Sequence, residues 1–168
     1  MTIPSRLEGD HYVNGNLAAK TMTIPASAVS NTHIAANAGL SASKQEHRFS
    51  QTYSQAAGVT AADEDKAVHI VYGSTGEIIG FEAGSGGVCV GDGTITVDLR
   101  KNGVTNSLLS AAIVLDSSNT AYVAEAGTIG TADVVDGDVL QVVVATAKTS
   151  GTVGTGVFAR IIFNEDAA

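Results

Sequence analysis

The chain has 168 residues, 44% of them hydrophobic but only 5% aromatic and none of them Trp, so the expected scale is one medium domain with a core of Val, Ile, Leu and Ala. Nineteen glycines against two prolines predict many tight turns, and the glycines lack the three-residue period of collagen. The net charge of −8 argues against nucleic-acid binding, which needs a basic footprint.

The charge is unevenly spread. Residues 1–60 hold four basic residues (Arg6, Lys20, Lys44, Arg48) and three acidic ones (Glu8, Asp10, Glu46), for +1; the remaining five basic and fourteen acidic residues give residues 61–168 a charge of −9. A near-neutral arm on an acidic body predicts two different jobs. The opening MTIPSRLEGD carries two acids and no apolar run, so no signal peptide is expected. No stretch approaches the roughly 18 apolar residues of a membrane helix, so the expectation is a protein made in the cytoplasm, with no membrane partner.

Residues 1–60 are rich in Ala, Ser, Thr and Asn, with apolar residues too sparse for an independent core. The expectation is an extended, mostly irregular N-terminal arm that orders on a partner. Its candidate anchors are Met22, Ile24, Val29, Ile34, Leu40, Phe49 and Tyr53. The segment ASKQEHRF (42–49) is compatible with a short helix, and QAAGVTAADED (55–65) looks like the link to the body.

From about residue 61 onward, short β-rich runs alternate with glycine punctuation. AVHIVYG (67–73) places Val68, Ile70 and Tyr72 on one face and His69 on the other. EIIGFEAG (77–84) places Ile79, Phe81 and Ala83 together. TITVDLRK (94–101) alternates Ile95, Val97 and Leu99 with Thr96, Asp98 and Arg100, then meets Asn102-Gly103, a pair suited to the positive φ of a tight turn. AAIVLD (111–116), AYVAEAGTIG (121–130), DVLQVVVATA (138–147) and GVFARIIF (156–163) complete seven or eight expected strands. This spacing predicts an all-β fold, an antiparallel sandwich or jelly roll over residues 61–168. The last strand is apolar on both faces, with Val157, Ala159, Ile161 and Phe163 on one and Phe158, Arg160 and Ile162 on the other. Such a strand is central or pressed against another subunit. His69, Asp98, Arg100, Phe158, Arg160 and Ile162 are therefore candidate subunit-interface residues, with a solvated strand face as the competing reading of Asp98 and Arg100.

Catalytic and metal signatures are weak. AGSGG (83–87) approximates a Gly-x-Ser-x-Gly elbow around Ser85, but a strand-like segment follows where the elbow needs a helix. The glycine-rich stretches match no phosphate loop. The histidines His11, His33, His47 and His69 show no zinc spacing. Asp133, Asp136 and Asp138 surround a glycine without the offsets of a calcium loop. Cys89 stands alone between valines and fits a small buried hydrophobe. Glu77, Glu82 and Glu125 show no pairing of the kind glycoside hydrolysis needs. No catalytic residue, cofactor or metal is expected.

GFEAGSGGVCVGDGTITVDLRKNGVTNSLLSAAIVLDSSNTAYVAEAGTI, VVDGDVLQVVV and GTGVFARIIF together resemble the small β-rich domains of tailed-phage virion proteins. KTMTIPASAVSNTHIAANAGLSASKQEHRF is similar to connector segments of phage fibre and decoration proteins. The resemblance spans roughly residues 20 to 163. It implies a homotrimer with a projecting jelly-roll body and an anchoring arm, located on the virion surface, with the major capsid protein as partner and no enzyme site. The chain lacks a long fibre-shaft repeat. The other function the resemblance allows is a tail-fibre or receptor-binding module that takes a host surface glycan.

Overall fold

In the computed structural model the described residues are 46–72, 75–103 and 107–166, and they form a two-sheet antiparallel sandwich. The strands are β1 (Glu46–Ser54), β2 (Glu64–Ile70), β3 (Gly76–Gly87), β4 (Thr94–Lys101), β5 (Ile113–Leu115), β6 (Glu125–Gly127), β7 (Asp133–Val134), β8 (Val139–Ala147) and β9 (Thr155–Asp166). The front sheet runs β1-β9-β3-β6, with β7 also beside β3; the back sheet runs β2-β8-β4-β5. Consecutive strands mostly cross between sheets, and first and last strands lie side by side. That order is a jelly roll, two interleaved Greek keys.

The core fills the space between the sheets. Phe163, Ile161, Ile78 and Phe81 of the front sheet meet Ile95, Val97, Leu99, Leu140, Val142 and Val144 of the back sheet, all fully or nearly fully buried. Each such side chain stabilises the fold by about 1.5–3 kcal/mol when removed from water. The expected alternation in β4 holds, with Ile95, Val97 and Leu99 all inside.

Several expectations need correction. The body begins earlier than residue 61. β1 pairs along its whole length with β9, from Glu46 opposite Asp166 to Ser54 opposite Phe158. Phe49 and Tyr53 therefore belong to the body. Tyr53 is a core residue, and the Phe49 ring packs on Phe163 at 3.9 Å between centroids. Alternating Phe49, Gln51 and Tyr53 with Arg48, Ser50, Thr52 and Ser54 gives a strand period, which the polar composition of this segment masks. Residues 46–49 are accordingly strand and not helix.

In β2 a bulge between Ala67 and His69 reverses the expected faces. His69 turns inward onto Phe163 and Phe49, while Ile70 and Tyr72 stand exposed. A second bulge, between Ile78 and Gly80, puts Ile78 in the core in place of Ile79. In AYVAEAGTIG only residues 125–127 are strand, and Tyr122 and Val123 remain exposed.

Candidate interaction surfaces

The jelly roll has two ends. One carries the loops 55–63, 88–93, 116–124 and 148–154. There the backbones of two loops touch. Gly151, Gly93 and Gly154 sit where any Cβ would fall 2.1 Å from the Val90 carbonyl oxygen, 2.2 Å from that of Thr152 and 2.2 Å from that of Gly87. Only glycine permits such an approach. Carboxylates also organise this end, and Asp92 bridges the two touching loops. Asp92 accepts the backbone N–H groups of Thr149 and Ser150 at 3.0 and 3.1 Å, and that of Gly151. Asp63 accepts both the N–H and the hydroxyl of Thr146 at 2.7 Å, and Asp116 those of Ser118. Donors hold all three below the ordinary carboxylate range. The largest contributions come from the Gly151 N–H on Asp92, the Thr146 hydroxyl on Asp63 and the Ser118 hydroxyl on Asp116.

At the opposite end residue 46 enters β1, β9 ends, and the β4, β7 and β8 turns meet. Asp138, nearly buried, organises it. Burial opposes its charge, but the Val135 N–H at 2.9 Å, the Asn102 amide at 2.6 Å and the Lys101 ammonium at 3.1 Å outweigh that and lower its pKa. Asn102 holds φ 56 and Gly103 φ 65, the tight-turn pair expected from the sequence. Asn102 also exchanges backbone and side-chain bonds with Val139. Asp138 thus has protein donors where a calcium loop would offer open ligands. Among the described residues no group of three or more His, Cys, Asp or Glu could hold a metal ion.

This end also exposes apolar side chains. Ile70 and Tyr72 are 61% and 85% exposed, on either side of buried Val71. The Val71 backbone bonds Gly137 and Asp138, which brings Val135, itself half exposed, to the same end. An open cleft of about 420 Å³ beside them is lined by Thr75, Gly76, Glu77, Asp133, Val134, Val135 and Asn164.

The remaining candidates spread over both sheets. Asp98 is neither a solvated surface group nor free for another subunit. Its carboxylate is buried on the outer face of the back sheet, accepting from Arg100 Nε at 3.0 Å and from the Ser107 hydroxyl. His69 Nε2 lies 2.8 Å from Glu165 Oε1, and with its ring on Phe163 it serves the body interior. Phe158 lies across the front sheet onto Gly84, where a Cβ would come within 2.6 Å of the ring; Ile162 faces Gly80 in the same way, at 3.5 Å. Arg160 and Glu82 form an exposed pair at 2.8 Å. Of the arm anchors, Met22, Ile24, Val29, Ile34 and Leu40 lie outside the described residues. Ser85 lies within β3, with its carbonyl accepting the Tyr122 N–H, and Cys89 is buried.

Sequence reasoning missed Ile70, Tyr72 and Val135 as an exposed group. The two glycine-marked turns were visible in the sequence, but the bulge that turns Ile70 and Tyr72 outward was not. No known protein family, curated protein or solved structure matches the chain.

Proposed function

We propose that the protein is a non-enzymatic structural protein of a tailed-phage virion, a cement protein that binds the outside of the capsid and works as an assembly of several copies. The observation that supports this best is the placement of Ile70, Tyr72 and Val135 at the end of the jelly roll where residue 46 enters β1. Their exposed apolar area gives the body an attachment surface at that end. Jelly rolls are common in virion proteins, which supports the reading by analogy of fold.

The mechanism is mechanical. Apolar side chains buried across a seam between capsid subunits contribute about 25 cal/mol per Å². Several copies joined together bind with avidity, because each attachment after the first is intramolecular. The acidic body faces outward and keeps particles apart. The test is sedimentation of full-length protein with capsids of the phage that encodes it. The protein should co-sediment, and the full chain carrying Ile70→Ser, Tyr72→Ser and Val135→Ser should bind at least tenfold more weakly.

A second reading, a host-glycan receptor module, has one observation in its favour. Tyr122 is 76% exposed and holds φ 61, a conformation rare for an aromatic residue. It belongs to the loop that contributes Ser118 and Asn119 to a cleft of about 530 Å³. A glycan array decides between the two. Specific hits abolished by Tyr122→Ala support the receptor reading, and an empty array supports cement.

A further inference from the structure

The strands at the sheet margins differ in how they are protected. An edge strand offers bare backbone N–H and C=O groups to any passing strand, and folded proteins blunt it with charge, bulges or shortness. β2, the margin of the back sheet, carries Glu64, Asp65 and Lys66 and a bulge. β5, β6 and β7 have three, three and two residues. β1 has nine residues, and between Phe49 and Ser54 it carries no charge, no proline and no bulge.

The orientation of its backbone follows from the ladder. Gln55 N–H donates to the Val157 carbonyl, so with the period of two the odd residues of β1 bond β9. The Tyr122 N–H donating to the Ser85 carbonyl, two strands away, fits the same alternation. The backbone groups of Arg48, Ser50, Thr52 and Ser54 therefore point to the free margin. No described strand pairs with β1 there. The side chains of all four are exposed.

We propose that this margin pairs antiparallel with β1 of a second copy, joining the two front sheets into one continuous sheet across a twofold axis at Gln51. The register is self-consistent. Ser50 exchanges backbone bonds with the second copy's Thr52, and Arg48 lies opposite its Ser54, so no like charges meet. Glu46 and Arg48 cancel formally, which makes β1 a neutral strip on a body of charge −9. Small hydroxyl side chains at 50, 52 and 54 let two sheets continue without steric conflict. The contact is independent of the capsid reading. In a threefold assembly it joins neighbouring trimers.

Amide hydrogen exchange on the full chain tests this. At high protein concentration the Ser50, Thr52 and Ser54 amides should exchange about tenfold or more slowly than after dilution. The Gln51 and Tyr53 amides, bonded to β9, should stay protected at both concentrations. Ser50→Pro removes one N–H at the free margin while sparing the β9 ladder, and should abolish the concentration-dependent protection at Thr52. Ser50→Lys, which cannot disturb the backbone, should do the same by charge repulsion across the axis. Unprotected exchange at Ser50 and Thr52 at every concentration overturns the proposal. Protection that ignores both dilution and substitution also overturns it, because the margin is then covered by the chain's own segment.

Discussion

The two ends of the jelly roll are held together by different means. At the end carrying loops 88–93 and 148–154, backbone meets backbone through glycines, and exposed carboxylates collect N–H groups from the facing loop. At the end where residue 46 enters, a single nearly buried carboxylate gathers Val135, Asn102 and Lys101, and apolar side chains are left in water beside it. The first arrangement leaves little freedom for change at its glycines, while Val59, Val90, Tyr122 and Val123 in the loops of that end stand exposed. The second fixes the backbone with polar bonds while leaving Ile70, Tyr72 and Val135 without a structural task. Asp92 and Asp138 are thus committed to holding turns at the two ends, and exposed apolar side chains occur at both.

The largest effect should come from the glycine-closed end. Gly154→Ala drives a Cβ against the Gly87 carbonyl, a backbone atom that cannot step aside, and should cost more than about 4 kcal/mol or prevent folding, read by chemical denaturation. A cost near zero would mean that the loops have slack and that the two ends do not differ. At the opposite end Asp138→Ala strands the Val135 N–H and the Asn102 amide, and should cost about 2–4 kcal/mol in the same assay.

Acid should act on both ends at once. Asp63, Glu64, Asp92, Asp116 and Asp138 all have lowered pKa values in the folded protein. Their stabilisation is present above the ordinary carboxylate range, and it is lost as pH falls through the lowered folded-state values. Melting temperature should therefore hold from neutral pH down to about 5 and fall steeply below about 4. Tyr53 has the opposite sign. Burial, then its hydroxyl bond to Glu64 at 2.6 Å, raises its pKa. Its contribution is present at neutral pH and is lost as pH rises above about 10. The smallest effect on stability belongs to the exposed apolar group, where Ile70→Ser with Tyr72→Ser should stay within about ±0.5 kcal/mol per site.

Much of the fold was legible in the sequence. Strict alternation in TITVDLRK and the apolar faces of DVLQVVVATA and GVFARIIF predicted the central strands, and Asn102-Gly103 predicted its turn. Three things were not legible. β1 hides its core residues Phe49 and Tyr53 among Ser, Thr, Gln and Arg, because an edge strand needs only one apolar face. The bulges at 67–69 and 78–80 shift alternation by one residue; Gly80 marks the second, but no residue marks the first. Asp98 shows the third limit. Its spacing from Arg100 was visible, but Ser107, which completes its bonding, arrives from beyond the next turn.

The most direct test of the account is co-sedimentation of the full chain with capsids of the phage that encodes it, comparing the native protein with the Ile70→Ser, Tyr72→Ser, Val135→Ser variant after both are shown to melt alike. Saturable binding by the native protein and a tenfold or greater loss in the variant is the expected result. Equal binding by both, or none by the native protein, would contradict it.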